Sequence, residues 1–309
     1  MGDVVKRVNV LLSAYNGEKY IDQQVDSILN QTYSNIQLYI RDDGSTDGTL
    51  ESLKKYQDVA NVHIIEGENV GFIQSFQLLV RDCDSADYYA YSDQDDVWYP
   101  EKIAMAIEMI EEQEKREGTE IPILYFSNYD FYDGEMNFLS HSVKPKIQPS
   151  FHNALVDCMT LGFNSVFNDA ARRTICENYP QKSCGHDWWT YLVCIGLGKV
   201  IFDERPTVCY RRHDSNVSAG GMSFLKFQVW RFKKFFANDY FSNVHEMLKE
   251  FNAFYEGKLK KDDRALLSLF VKDNYSLVNA LKKAFYRKKY RNGFFDEIAV
   301  RILFLIGKM

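Results

Sequence analysis

At 309 residues, with 46% hydrophobic and 26% charged side chains, the chain can bury the core of one large α/β domain plus an appendage, which excludes a disordered or low-complexity protein. Its six cysteines are scattered, with no CxxC pair, which excludes a zinc ribbon, and no apolar run nears the ~20 residues that cross a bilayer. With no signal peptide visible, a reduced protein of the cytoplasm is expected, and its net charge of −6 is unevenly spread: residues 1–221 carry 19 Lys+Arg against 34 Asp+Glu, residues 222–309 carry 18 against 9.

In chain order, "VNVLLSA" (8–14) reads as a strand, and 18–31 as a helix with Tyr20, Ile21, Val25, Ile28 and Leu29 on one face. Strand runs at 36–40, 62–66 and 87–92 follow, the first two leading into helices through Tyr56 and Val80. A helix from Pro100 to about Glu117 leads to the strand "ILYFSNY". This alternation predicts an α/β fold with a mostly parallel, Rossmann-like sheet and flanking helices. In such sheets ligands sit beyond the carboxyl ends of the strands, which puts "SAYNG", "RDDGSTDG", "ENVG" and "SDQDD" on one rim. Residues 151–221 read as the rest of this domain, with "MTLGFNS", the apolar "WWTYLVCIGLG" after "GHD", and strands around Val200 and Val208.

Within "YSDQDDVWYP" (91–100), Asp93 and Asp95 stand one residue apart, so on an extended backbone both point the same way and can share a hard divalent cation, Mg²⁺ or Mn²⁺. The competing account is an acidic cap on the helix near Pro100, for which Asp96 alone would suffice. In "DDGSTDG" (42–48), Ser45 to Asp47 read as turn and helix cap, whereas Asp42 and Asp43 sit where a carboxylate can accept the imide N–H of a pyrimidine; Tyr15 on the neighbouring loop can stack on such a base. His213 in "YRRHDSNVS" can serve a metal or diphosphate, and Arg211 or Arg212 can pair with phosphate oxygens, although a lone histidine is more often structural.

The string "LLSAYNGEKYIDQQVDSILNQTYSNIQLYIRDDGSTDGT", followed by "YSDQDDVWYPEKI", resembles the family 2 glycosyltransferases of the GT-A fold, inverting enzymes that use nucleotide-diphospho-sugars. The resemblance covers roughly residues 6–216, and "SDQDDVW", "GHDWW" and "YRRHDSNVS" look most like the bacterial rhamnosyltransferase branch of cell-wall and capsular polysaccharide synthesis. It implies a GT-A catalytic domain over 1–221; beyond "SAGG" the composition shifts, and 222–309 reads as a basic, aromatic-rich helical region. Carried over by position, Ser13, Ala14 and Tyr15 line the nucleotide, Asp43 holds the base with support from Asp42, and Asn69 and Gly71 join the donor site. Asp93 and Asp95 are the family's DxD motif, Asp95 being the direct metal ligand, with His213 a further metal ligand and Arg212 a diphosphate partner. "NVGFIQSFQLL" lacks the arginine often found after this loop.

Asp187 of "GHDWW" matches the family's catalytic base; beside Trp188 and Trp189 it would be desolvated, which raises a carboxyl pKa, while the alternative is an N-cap for the helix that follows. "MTLGFNS", with Gly162, would wall the acceptor side or simply pack a core strand. The expected reaction transfers L-rhamnose from dTDP-L-rhamnose, or a hexose from a UDP-sugar, to a lipid-linked oligosaccharide; a non-catalytic carbohydrate-binding scaffold is the reading from another class.

"KKAFYRKKYR" (282–291) holds six basic residues in ten, and the following "GFFDEIAVRILFLIGKM" has an apolar face. A basic aromatic helix suits an anionic bilayer, so residues 222–309 read as a peripheral anchor to the inner face of the membrane, as a homodimer contact, or as helices packed on the catalytic domain. Nucleic acid is not expected as a partner, because the acidic first part would repel a polyanion.

Overall fold

The computed structural model describes residues 5–213 and 238–309, the side chains of 238–240 excepted. The expected boundary at 221/222 and the "DSNVS" end of the motif after His213 lie outside the described residues.

Strands β1 (Val8–Ala14), β2 (Ile36–Asp42), β3 (Val62–Glu66) and β4 (Tyr88–Ser92) pair in parallel in the order β3-β2-β1-β4, with α1 (Ile21–Leu29), α2 (Thr49–Lys54) and α3 (Phe72–Asp82) as crossovers. Alternation along these strands builds two cores. Val8, Val10 and Leu12 of β1 and Ile36, Leu38 and Ile40 of β2 face Ile21, Val25 and Ile28 of α1 and Ile103, Ala106 and Ile110 of α4 (Lys102–Glu117). Leu11, Tyr39, Tyr89 and Tyr91 point the other way, toward α3, α6 (Asp169–Glu177) and α7 (His186–Leu197). Buried on both faces, β1, β2 and β4 read as near-continuous apolar runs, while β3 at the edge is largely half-buried or exposed.

The sheet is mostly parallel only as far as β4. Beyond it, β8 (Ser165–Asn168) runs antiparallel to β4 and to β6 (Ile123–Tyr132), β6 is parallel to β9 (Lys199–Arg211), and β5 (Val97–Trp98) and β7 (Phe138–His141) add antiparallel edges. Antiparallel neighbours need no crossover helix, so periodicity alone does not announce them. The strands expected around Val200 and Val208 are one strand, β9, carried past Pro206 by register shifts against Ser127 to Asp130. Helix α1 starts three residues later than its periodicity predicts, because the N–H groups of Tyr20 and Ile21 turn back onto the Gly17 carbonyl and Glu18 is held by Asp47 and Gly48 of the next loop.

After α5 (Phe151–Ala154) and α7, the described C-terminal helices are α8 (Asn238–Tyr255), α9 (Lys261–Leu267), α10 (Leu277–Ala284) and α11 (Phe294–Leu305). They share the second core: Val244, Met247 and Phe251 of α8, Leu267, Ala284, Val300 and Phe304 cluster with Trp189 and Leu192 of α7. No helix among the described residues is long and apolar enough to cross a membrane.

Candidate active site

The four strand-end loops are bound to one another. Asp43 donates its N–H to the Ala14 carbonyl (2.7 Å) and Gly67 donates to the Asp42 carbonyl (3.0 Å). Gln94, between the two DxD aspartates, clasps the Tyr15 backbone: its Oε1 accepts the Tyr15 N–H (2.7 Å) and its Nε2 donates to the Tyr15 carbonyl (3.0 Å). Tyr15 is left 45% exposed at the rim, a free aromatic face. Ser13 shares a hydroxyl hydrogen bond with Ser75 (2.6 Å), and Ala14 is buried.

Asp42 and Asp43 are almost wholly buried and serve the protein first. Asp42 accepts the Ser45 N–H (3.1 Å) and hydroxyl, while Asp43 accepts the Val70 N–H (3.0 Å), the Gly71 N–H (2.9 Å) and the guanidinium of Arg41. A carboxylate offers about four lone-pair sites, so a base would share these groups rather than find them idle. Gly71, whose N–H meets Asp43, has φ 83°, a left-handed conformation that favours glycine; Asn69 beside it is exposed. Arg41, which also donates to Ser75 (3.2 Å) and the Glu68 carbonyl (2.9 Å), brings an arginine to this loop from β2, where the helix after it has none in its first turns. Its signal in the sequence is a charge inside the apolar run "IQLYIRDD".

The aspartate loop is fixed by β5 pairing with β9 and by Arg211. That residue, 2% exposed, donates from Nε to the Asp95 carbonyl (2.8 Å), from Nη1 to the Gly134 carbonyl (3.0 Å) and to Gln23, and its backbone N–H donates to Asp96 (3.0 Å). Asp96 therefore does not cap α4, whose N-cap is Glu101; it is buried against β9, and burial followed by the charges of Asp95 and Asp93 pushes its pKa well up. Arg212, one residue on, faces the opposite side of the strand, its guanidinium 3.7 Å above the Phe131 ring.

Asp95 Oδ2 lies 2.7 Å from His213 Nε2, and the His213 ring stacks on Tyr20 at 4.8 Å, so the two expected metal ligands are adjacent and oriented. Burial first, then the Asp95 and Asp187 charges, lifts Asp93 to about 7. The fully buried Lys102 is a compensating cation: desolvation lowers it to about 7, Asp96 and Asp93 oppose that, and its ammonium rests on the Trp98 ring (4.1 Å) and the Phe163 carbonyl. A lysine in register with Ala106 and Ile110 on the apolar stripe of α4 was its sequence signal.

Asp187 sits in the first turn of α7, whose N-cap is Gly185, so it is not the N-cap of that helix; its Oδ1 instead accepts the first-turn N–H of Trp188 (2.8 Å). Burial nonetheless raises its pKa to about 6, against the pull of that N–H and those of Asp187 and Gly162, and its charge reaches Asp93. Its neighbour His186 is 5% exposed and pushed down to about 3 by burial, with its ring stacked on Phe76 at 3.9 Å. A Cβ on Gly162 would stand 2.5 Å from His186 Nε2. Gly162→Ala should therefore cost about 1–3 kcal/mol of stability, read as a lower denaturant midpoint, because the wedged imidazole has nowhere to move.

Residues 9–179 match the family Glycosyl transferase family 2. The chain is a family 2 glycosyltransferase. As such it acts on nucleotide sugars, on a GT-A fold. It is 29% identical to the dTDP-rhamnosyl transferase RfbG of Shigella flexneri over 239 residues, 69% of this chain and 75% of that one. It is 33% identical to the chondroitin synthase of Escherichia coli over 226 residues, 72% of this chain but only 31% of that larger protein. Among solved structures, S. aureus TarS 1–349 in complex with UDP-GlcNAc superposes with TM-score 0.60 at 14% identity, covering 98% of this chain and 81% of that one. The mannosyltransferase PcManGT of Pyrobaculum calidifontis, in complex with GDP-Man and Mn²⁺, gives 0.58 at 14%, covering 99% and 75%. GT-A enzymes of this kind typically use divalent metals.

Proposed function

We propose that this family 2 glycosyltransferase transfers L-rhamnose from dTDP-L-rhamnose, with inversion and with Mn²⁺ or Mg²⁺, to a lipid-linked oligosaccharide of a cell-surface polysaccharide presented at the membrane. The observation that carries it is the placement of Asp187, a carboxyl raised to about 6, close enough to Asp93 for their charges to interact, at the rim where the strand-end loops meet. Likeness to the Shigella dTDP-rhamnosyl transferase supports the choice of sugar.

The donor types suit a hard divalent cation: the Asp95 carboxylate and the His213 imidazole are adjacent, the Asp95 charge reaches Asp93, and Asp96 Oδ2 is left buried without a hydrogen bond, although the three groups do not stand as a closed ligand cluster. A cation held by Asp93, Asp95 and His213 would offset the charge that develops on the departing diphosphate. The chain's own groups do the rest. Tyr15 offers a stacking face to the base, Arg41 and Asp43 hold the loop that frames it, and Asp187 takes the proton from the acceptor hydroxyl as that oxygen attacks the anomeric carbon.

Tyr15→Ala should weaken nucleoside diphosphate binding by about 1–3 kcal/mol, roughly 5- to 150-fold in Kd by calorimetry, since base stacking on an aromatic ring is worth that much. The reaction is tested by measuring nucleoside diphosphate release from dTDP-rhamnose, UDP-glucose, UDP-galactose, UDP-N-acetylglucosamine and GDP-mannose, each with Mn²⁺ and with EDTA. Metal-dependent turnover of dTDP-rhamnose alone is expected; turnover of a UDP-sugar instead would discard rhamnose.

A further inference from the structure

Helices α10 and α11 turn one face to the second core through Ala284, Val300 and Phe304, so their other faces look outward together. A water-facing side is ordinarily polar, yet here it carries Val278 (60% exposed), Phe285 (76%), Phe294 (71%), Phe295 (72%), Ile302 (51%) and Ile306 (54%). Val278 and Phe285, at the C-cap of α10, stand seven residues apart, and Phe295, Ile302 and Ile306, at the C-cap of α11, stand seven and four apart, spacings that return to one side of a helix. Around the stripe lie the exposed cations Lys282, Arg287, Lys288, Lys289 and Lys308. The acidic residues of this segment do not oppose them: Glu297 is turned inward onto Arg301 and the N–H groups of Tyr290 and Arg291, and Asp296 is half-buried.

We propose that the α10–α11 hairpin is the membrane-docking surface of the protein, lying on an anionic lipid bilayer with its phenylalanines and isoleucines among the acyl chains and its lysines and arginines at the headgroups. An apolar stripe beside five exposed cations, with Asp262 and Asp263 of α9 facing only Lys288 and Tyr286 among the hairpin's described residues, matches that occupant in both hydrophobicity and charge. The hairpin is also fixed to the acceptor side of the active site. Arg291 pairs with Asp157 (3.0 Å) and donates to the Val156 carbonyl (2.7 Å), and Asn153 donates to the Tyr290 carbonyl (2.5 Å). From there the chain runs through 158–162 to Gly162 beside His186, while the Trp188 indole donates to the Ala154 carbonyl (2.8 Å). A bilayer under the hairpin would thus hold a lipid-linked acceptor near Asp187, and for that purpose the inference rests on the reading of the acceptor given above.

The test is sedimentation of the full chain with vesicles of phosphatidylcholine alone or with about a third phosphatidylglycerol, at low and high salt. Binding to the anionic vesicles, weakened by salt, is expected. Phe285→Ser combined with Phe294→Ser and Phe295→Ser should reduce partitioning about tenfold or more, and Arg287→Glu with Lys288→Glu and Lys289→Glu should erase the preference for anionic lipid. Donor hydrolysis in solution should be unchanged in both, which shows that they fold. The inference is overturned if the wild type stays in the supernatant, if the triple serine variant sediments as the wild type does, or if the protein is a dimer that these serines dissociate and that ignores vesicles, which would make the face a contact between two copies. Vesicle binding is read without donor or acceptor, so its failure leaves the transferase reading standing, and a missing transferase activity leaves the vesicle result standing.

Discussion

Asp187→Asn is expected to lower kcat/KM for transfer by about 10²–10⁴-fold, the range by which a positioned general base accelerates a reaction, while the Kd for nucleoside diphosphate stays near that of the wild type. Asparagine separates the two jobs of this side chain. Its amide oxygen can still accept the Trp188 N–H, which satisfies the start of α7, but it cannot take a proton from the acceptor hydroxyl. A second signature is the pH profile. Burial raises Asp187 to about 6, so the base is protonated and idle below that pH, and kcat/KM should rise through about 6 to a plateau in the wild type. With Mn²⁺ held saturating at each pH, so that protonation of Asp93 does not strip the metal, the Asn variant should show no such limb. Asp187→Ala, by contrast, should also lose about 1 kcal/mol of stability with the hydrogen bond to the Trp188 N–H. Normal transfer by the Asn variant, or a limb that persists in it, would remove Asp187 as the base.

The parallel half of the fold was legible because each of its strands is a dense apolar run ending in a polar loop, a pattern that local periodicity reports. β1 and β3 fall where the apolar runs place them, and α4 begins only two residues after Pro100. The pairing of β5 with β9 was not legible. Val97 and Trp98 are too short a run to read as a strand, and they become one only because Val208 and Cys209, more than a hundred residues later, pass beside them. The same distance hid the work of Arg211, which reads in "YRRH" as a candidate partner of phosphate oxygens yet is the buried clamp of the aspartate loop, its guanidinium spent on Asp95, Gly134 and Gln23. Asp42 and Asp43 were correctly set on the rim, but their partners Ser45, Arg41, Val70 and Gly71 depend on backbone N–H directions that residue type does not encode. Lys102 shows the reverse: its place on the apolar face of α4 was visible, and only the neighbouring acidic loop explains why a lysine is there.

The charge packed into "SDQDD" makes a second large effect predictable: Mn²⁺ should raise the melting temperature at pH 7.5, and Asp95→Ala should abolish both that rise and metal-dependent turnover. Asp93 is lifted to about 7 by burial and then by the Asp95 and Asp187 charges. A carboxyl with a raised folded-state pKa keeps its proton in the folded chain where the unfolded chain has lost it. The associated stability is present at low pH and drains away as pH rises from about 4 to about 7. A cation bound by the folded state restores what that ionisation loses. At a hundredfold excess over its Kd it contributes about 2.7 kcal/mol, which in a chain of this size is a rise of roughly 5 °C. The rise should shrink at pH 5.5, where protons compete for Asp93. Removing the Asp95 carboxylate deletes one ligand, frees His213 from its 2.7 Å partner, and relieves repulsion on Asp93. The apo variant should therefore melt close to the wild type, while the Mn²⁺ increment vanishes and kcat/KM falls about 10²–10³-fold, the scale of losing one group that stabilises developing charge. An Asp95→Ala protein that keeps both the Mn²⁺ increment and EDTA-sensitive turnover would place the cation elsewhere and leave the acidic loop a structural knot held by Arg211 and Lys102.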